Sequence, residues 1–253
     1  MPYEALATAV TPALIIYLLD TSESMATMMD GIQRIDLVSR ALKNVILEMV
    51  SRSTKGQAVR PRYRVAIFTY NDNVSDLLNG AITVDRFQDE GIPYMKAEGR
   101  TDTATAFQKV EEFLKQEWAR LRNCPAPLVC HMTDGEYTGN DPQPVVRRIM
   151  QMNNGDGNVL VENIYLDAQA LRTPVSNPYQ WPGISREDQL NSDPARVLFQ
   201  MSSAIPDSYL ALYQDRGYSI KSGSRLLFPG NSPEMVEAGF MMSGTTPIVP
   251  PKA

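Results

Sequence analysis

Residues 14–19 form an unbroken apolar run, Leu-Ile-Ile-Tyr-Leu-Leu, that stops at Asp20. A short run of this kind predicts a strand covered on both faces. Beyond a polar loop, Ile35, Val38, Leu42, Val45, Ile46 and Met49 recur at steps of three and four, so an amphipathic helix is expected from about residue 31 to about residue 51. Asp30 with Gln33 three residues on offers a capping-box start. Residues 63–70 read as a second strand; Asn71-Asp72-Asn73 then turns, and residues 81–84 can return antiparallel beside it. A second long helix carries Ala106, Val110, Phe113, Leu114 and Leu121, just after Gly99-Arg100-Thr101-Asp102-Thr103. Residues 128–133 are a third buried strand, again ending on an aspartate, Asp134. Asp141-Pro142 opens a helix through Val145, Val146, Ile149 and Met150. Residues 159–166 predict another strand and Asp193-Pro194 another short helix. Residues 226–228 predict a last strand before a helix near 233–242.

Strands alternating with helices predict an α/β fold: a doubly wound, mainly parallel sheet with one antiparallel edge strand and helices on both faces. Residues 1–243 read as one domain. Within it, residues 168–193 hold Pro174, Pro178, Pro182 and Gly183 with no sustained period, a long loop insertion after a strand. Residues 244–253, with Pro247, Pro250 and Pro251, read as an extended tail.

The 253 residues suffice for one well-buried core. Apolar residues at 43% and charged residues at 21% exclude a disordered or fibrous chain. With 24 basic and 29 acidic side chains the net charge is −5, and no concentration of Lys and Arg marks a nucleic-acid surface. The run at 13–19 is too short to cross a bilayer. Met1-Pro2-Tyr3-Glu4 lacks the basic flank and apolar run of a secretory leader. Cys124 and Cys130 form no Cys-x-x-Cys pair and read as reduced core thiols. The expectation is a cytoplasmic protein without a membrane span.

In an open α/β sheet, ligands bind at the carboxyl ends of the strands. Asp20, Ser22 and Ser24 share one loop there, Asp134 ends another strand with Gly135 to make the turn, and Thr101 lies in the loop opening the second long helix. Carboxylate and hydroxyl oxygens without imidazole or thiolate suit a hard divalent cation such as Mg²⁺. Asp102 is read as solvated or as orienting a metal-bound water, Thr103 as a helix cap or a hydroxyl supporting the metal ligands, and Met25, Met28 and Met29 as packing under the loop or as adaptable partner contacts. His131, the only histidine, is read as a satisfied core residue.

Asp20-Thr21-Ser22-Glu23-Ser24, Gly99-Arg100-Thr101-Asp102-Thr103 and Thr133-Asp134-Gly135-Glu136 resemble the three parts of a metal-ion-dependent adhesion site. Because all three occur in the family's order along the strand–helix sequence, the chain resembles a von Willebrand factor type A (integrin I-like) domain over roughly residues 12–242. The resemblance implies Mg²⁺ or Mn²⁺ held by Ser22, Ser24 and Thr101, with Asp20 and Asp134 binding directly or through water. It also implies a partner protein whose acidic residue completes the coordination. Many relatives carry Gly where this chain has Glu23, whose carboxylate stands beside the expected site. The chain resembles intracellular bacterial members, of tellurite-resistance, kinase–phosphatase or ATPase-associated type, more than secreted adhesion domains.

Two function classes follow. The first is a metal-dependent protein-interaction module, without turnover, within an intracellular bacterial multiprotein or signalling system. The alternative is a Mg²⁺-dependent phosphohydrolase with Asp20 as nucleophile. That chemistry needs an acid–base aspartate two residues on, where this chain has Ser22, a hydroxyl that cannot move the proton near neutral pH. A Ser-His-Asp hydrolase lacks its Gly-x-Ser-x-Gly elbow. The insertion leaves a strand that ends on the same sheet edge, and two readings stand: Tyr179 and Trp181 border the metal face and help select the partner, or the insertion is a padded loop packed on the side of the domain.

Overall fold

A computed structural model describes residues 3–87, 91–92 and 94–246. Seven strands build the main sheet: β1 (Ala13–Asp20), β2 (Tyr63–Tyr70), β3 (Val74–Asp76), β4 (Ile82–Thr83), β5 (Leu128–Thr133), β6 (Leu160–Tyr165) and β7 (Leu227–Pro229). The order across the sheet is β7-β6-β5-β1-β2-β3, with β4 also pairing β2. All neighbours are parallel except β3 and β4, which run antiparallel to β2. This is the expected doubly wound sheet with an antiparallel edge. Every residue of β1 and β5 is buried, which is why they read as continuous apolar runs instead of alternating ones.

The helices are α1 (Arg34–Ser53), α2 (Thr103–Glu117), α3 (Gln143–Gln151), α4 (Asp193–Gln200), α5 (Asp207–Asp215) and α6 (Pro233–Ser243). Strand alternation divides their work. Tyr17 of β1 faces α6, stacking on Phe240 at 5.7 Å. Phe68 of β2 and His131 of β5 face the other way and meet Phe113 and Phe107 of α2 at 5.3 and 4.9 Å. The register places Leu18 beside His131, and Asn163 beside His131 in turn, so Asp20, Tyr70, His131, Thr133 and Asn163 share the α2 face. Glu162, opposite Cys130 in register, lies on the α6 face. It is fully buried, and neither carboxyl oxygen finds a partner at normal geometry among the described residues.

Three expectations need correction. α1 begins at Arg34 and its N-cap is Gln33, so Asp30 caps nothing. Asp30 and Gly31, at φ +49° and +81°, form the turn of a small hairpin between Met28–Met29 and Ile32–Gln33. The cap of α2 is Asp102, whose Oδ1 accepts from Thr105 N at 3.0 Å, and Thr103 is the first helical residue. Third, the aromatics of the insertion are not at the metal face. Trp181 is 5% exposed and packs on Phe228 of β7. Ser219 N donates to Tyr179 O, Lys221 N to Pro182 O and Arg225 N to Ile184 O. Residues 179–184 therefore run beside the segment entering β7, at the opposite end of the parallel sheet from Asp20. Tyr179 is 54% exposed there, stacked on Tyr218 at 4.9 Å. Both ends of the insertion stay at the loop edge, where Asn191 N donates to Ala170 O at 3.1 Å and Ser192 Oγ meets Tyr165 Oη at 3.2 Å.

Of the expected tail, Gly244, Thr245 and Thr246 are buried, and the Arg52 guanidinium donates to the Gly244 and Thr246 carbonyls. Residues 247–253, with Pro247, Pro250 and Pro251, lie outside the described residues.

Candidate metal centre

Asp20 is the last residue of β1 and fully buried. Its Oδ1 accepts from Ser22 N at 2.8 Å, which folds the chain back into a turn. Its Oδ2 accepts from Thr133 Oγ1 at 2.8 Å, tying the end of β1 to the end of β5. Burial pushes the Asp20 carboxyl up to about 6, the Asp134 charge adding to that, while the Ser22 and Thr133 hydrogen bonds pull it down. Beyond the turn, Ser22 Oγ and Ser24 Oγ stand 3.1 Å apart. The short 3₁₀ turn Glu23–Ala26 is anchored by Met25, which is completely buried. Met29 is buried as well, but Met28, expected to pack under the loop, is 59% exposed. Glu23 is exposed beside the site.

The second loop is laced to the first by backbone bonds. Glu98 N donates to Thr21 O at 2.8 Å and Glu23 N to Gly99 O at 3.0 Å. From the β2–β3 turn, Asp72 Oδ2 accepts from Arg100 N at 3.0 Å and Asn71 O from Asp102 N at 3.2 Å. Gly99, at φ +78°, admits this approach, because a Cβ there would lie 2.5 Å from Asp72 Oδ2. Thr101 is thereby held, buried, at the shared edge. Its carbonyl accepts from Thr138 N at 2.7 Å and Thr138 Oγ1 at 3.0 Å, which joins the second loop to the third.

In the third loop, Gly135 N donates to Thr133 Oγ1 at 3.0 Å. Gly135 sits at φ +90°, and a Cβ there would lie 2.3 Å from Tyr165 Cε2 and 3.1 Å from Pro194. Asp134 is 7% exposed at its side chain; its Oδ2 accepts from Arg34 Nη1 at 3.2 Å. Asp134 Oδ1 is buried with no partner among the described residues. The structure thus brings the three loops carrying Asp20, Ser22, Ser24, Thr101 and Asp134 to one edge. Sequence reasoning missed two participants. Thr133 lies inside its motif, where its residue type assigns it no role, yet its hydroxyl grips Asp20. Arg34 stands 100 residues from its partner, and nothing in the helix period singles it out.

Beneath the site lies a buried polar chain. Tyr70 Oη meets His131 Nε2 at 2.7 Å, and His131 Nδ1 meets Asn163 Oδ1 at 2.7 Å. Asn163 Nδ2 donates to Ser202 Oγ at 2.9 Å, so its Oδ1 is the acceptor toward histidine. His131 is then a neutral imidazole protonated on Nδ1, accepting from the Tyr70 hydroxyl at Nε2. Burial pushes His131 down to about 4, against the Asn163 hydrogen bond, which raises it. The lone histidine is a satisfied core residue.

All five candidate ligands offer hard oxygens. Among the described residues no cluster of three or more His, Cys, Asp and Glu exists; the donor set here is two carboxylates and three hydroxyls. An unpaired buried carboxylate oxygen carries a desolvation cost that a cation or its water removes, so the residues fit a Mg²⁺-type ion.

The family profile for the von Willebrand factor type A domain matches residues 15–136. A search of curated proteins by sequence found no match. Among solved structures, the pilus adhesin SpaC from Lactobacillus rhamnosus GG is 10% identical at a TM-score of 0.56, over 90% of this chain and 30% of that one. Proximal thread matrix protein 1 from the mussel byssus is 15% identical at a TM-score of 0.53, over 92% of this chain and 47% of that one. The SpRpn10 VWA domain is 13% identical at a TM-score of 0.50, over 90% of this chain and 93% of its own. This chain therefore spans about half of the byssus protein and under a third of the adhesin, but nearly all of the isolated domain.

Proposed function

We propose, from the von Willebrand factor type A domain that this chain carries, a protein-interaction module whose binding depends on a divalent cation. Ser22, Ser24 and Thr101 would hold Mg²⁺ or Mn²⁺ through their hydroxyls, and Asp20 and Asp134 directly or through water. An acidic residue of a partner protein would complete the coordination. The observation that carries this reading is the Asp134 carboxylate, with Oδ1 buried, without a partner among the described residues and placed beside the Asp20 loop. When bound, the ion supplies a Lewis-acid position at the surface; the chain's own groups fix its ligands by the Ser22 turn and the Thr133–Asp20 bond.

The proposal is a binding site without turnover. A phosphohydrolase with Asp20 as nucleophile would need an acid–base carboxylate two residues on, where Ser22 stands with its N–H bonded back to Asp20. His131 is fully buried between Tyr70 and Asn163, with both ring nitrogens engaged. The setting proposed is an intracellular bacterial signalling or multiprotein system, in keeping with two free cysteines, Cys124 and Cys130.

Thermal unfolding across a Mg²⁺ or Mn²⁺ titration tests the site. At a concentration near 100 times Kd, binding to the native state alone adds about 2.7 kcal/mol, or roughly 5–10 °C for a chain of this size. Ser22→Ala and Asp134→Ala should abolish the increment while the protein stays folded. A native-lysate pull-down with and without chelator, with Asp20→Ala as control, tests the partner. An undiminished thermal increment in Asp20→Ala/Asp134→Ala would remove the site.

A further inference from the structure

Arg34 is the first residue of α1, where the helix dipole disfavours a positive charge. Its side chain is 18% exposed, its Nη1 lies 3.2 Å from Asp134 Oδ2, and its Nε is buried without a partner among the described residues. Guanidinium and carboxylate therefore meet end-on through a single contact. A side-on pair would satisfy both Arg34 Nε and Asp134 Oδ1; here each is left over. A salt bridge built only for stability has no reason to leave two buried polar atoms unmet.

The location adds a second argument. Asp20 and Asp134 bring two carboxylates to one sheet edge, with Thr133 bonding the first directly beside the second. Arg34 is the one cationic side chain paired to either carboxylate among the described ion pairs and hydrogen bonds. It cancels half of the negative charge that would attract a dication, and it holds one of the two Asp134 oxygens.

We propose that Arg34 is a built-in competing cation: it occupies Asp134 when no metal is bound and sets a low divalent affinity for the site. This rests on the metal reading above and deepens it. The module is then loaded only where divalent cation is plentiful, or where a partner's carboxylate contributes to the same site and offsets the guanidinium charge. The opposite role is a pure positioning one, in which Arg34 steers Asp134 toward the ion and its loss weakens binding. The two differ in sign.

The experiment is calorimetric titration of Mn²⁺ alone into the whole chain, in wild type, Arg34→Gln, Arg34→Met and Arg34→Lys. Removing a unit charge beside a dication, through a partly screened medium, should tighten binding by about tenfold or more. Arg34→Gln and Arg34→Met should show that gain together with a lower thermal midpoint in chelator. Arg34→Lys keeps the charge and should stay near wild type; the apolar stem retained by Met guards against a Gln variant that fails to fold. Equal or weaker Mn²⁺ binding in both neutral variants overturns the competing role while leaving the metal site standing. No Mn²⁺ binding by any of the four proteins overturns the metal reading itself, and this inference with it.

Discussion

Replacing His131 by Phe gives the most direct test of the buried polar chain under the site. At neutral pH the imidazole accepts from Tyr70 Oη and donates to Asn163 Oδ1, both at 2.7 Å. Phe fills the space but leaves two buried polar groups short of a partner, at about 1–3 kcal/mol each. His131→Phe should therefore be about 2–6 kcal/mol less stable than wild type at pH 7.5. That gap should then shrink on acidification. The folded-state pKa of His131 is lowered from 6.5 to about 4, so the unfolded chain takes up the proton first. The histidine's contribution is thus fully present above about pH 6.5 and is lost as pH falls toward 4. From those two values wild type loses about 2–3 kcal/mol by pH 4.5 and about 3 kcal/mol in the limit, through this residue alone. The Phe variant has no such loss, and every other titrating group is common to both proteins. Urea unfolding followed by tryptophan fluorescence, at half-unit steps from pH 7.5 to 4.5, measures the difference curve. A gap that stays constant across that range would show that His131 is not held neutral by its surroundings.

Two further substitutions check separate parts of the construction. Gly135→Ala should destabilise far more than Gly139→Ala: both have φ near +90°, but only at 135 would the Cβ strike Tyr165 Cε2 at 2.3 Å. The backbone strain common to both is about 1 kcal/mol, and the clash should add about 2 kcal/mol or more, readable as a difference in thermal midpoint; equal losses would mean the close approach is not real. Glu162→Gln should raise the midpoint by a few degrees at pH 8 and by less at pH 5. Burial holds the Glu162 carboxyl well above its ordinary range, so the folded state favours the neutral acid, and wild type loses stability as pH rises above the unfolded value near 4.5. A pH-independent difference between the two proteins would show that Glu162 is not neutral in the core.

The sheet, and the meeting of Asp20, Ser22, Ser24, Thr101 and Asp134 at one of its edges, were legible because both rest on local signals. Buried parallel strands announce themselves as apolar runs, and Asp20 and Asp134 each end one of them. Three kinds of information were not local. The start of α1 depended on Asp30 and Gly31 adopting left-handed backbone in a hairpin turn, which displaced a plausible capping box. α5 escaped notice, with Tyr209, Leu210 and Tyr213 as its buried residues and Pro206 at its N-cap, a short and weakly patterned stretch. The course of the insertion depended on a bridge between Ile184 and Arg225, a pairing 41 residues apart that no periodicity reveals. For the same reason Trp181, which reads as a presented aromatic in a Pro-rich loop, is a core residue.

The path of that insertion has a consequence for how the molecule can associate. An exposed edge strand is a template for any other chain with free backbone groups. Here one margin of the sheet is taken up by the chain itself: Ile184 bridges Arg225 just ahead of β7, Trp181 lies over Phe228, and β7 ends in Pro229, which has no N–H to offer. The other margin, β3, is three residues long, and Asp76 turns its carboxylate back onto the N–H groups of Leu78 and Gly80. Both borders thus resist strand addition. Under the proposed function, recognition would fall to the loops, where side-chain chemistry can change without disturbing the sheet that carries it.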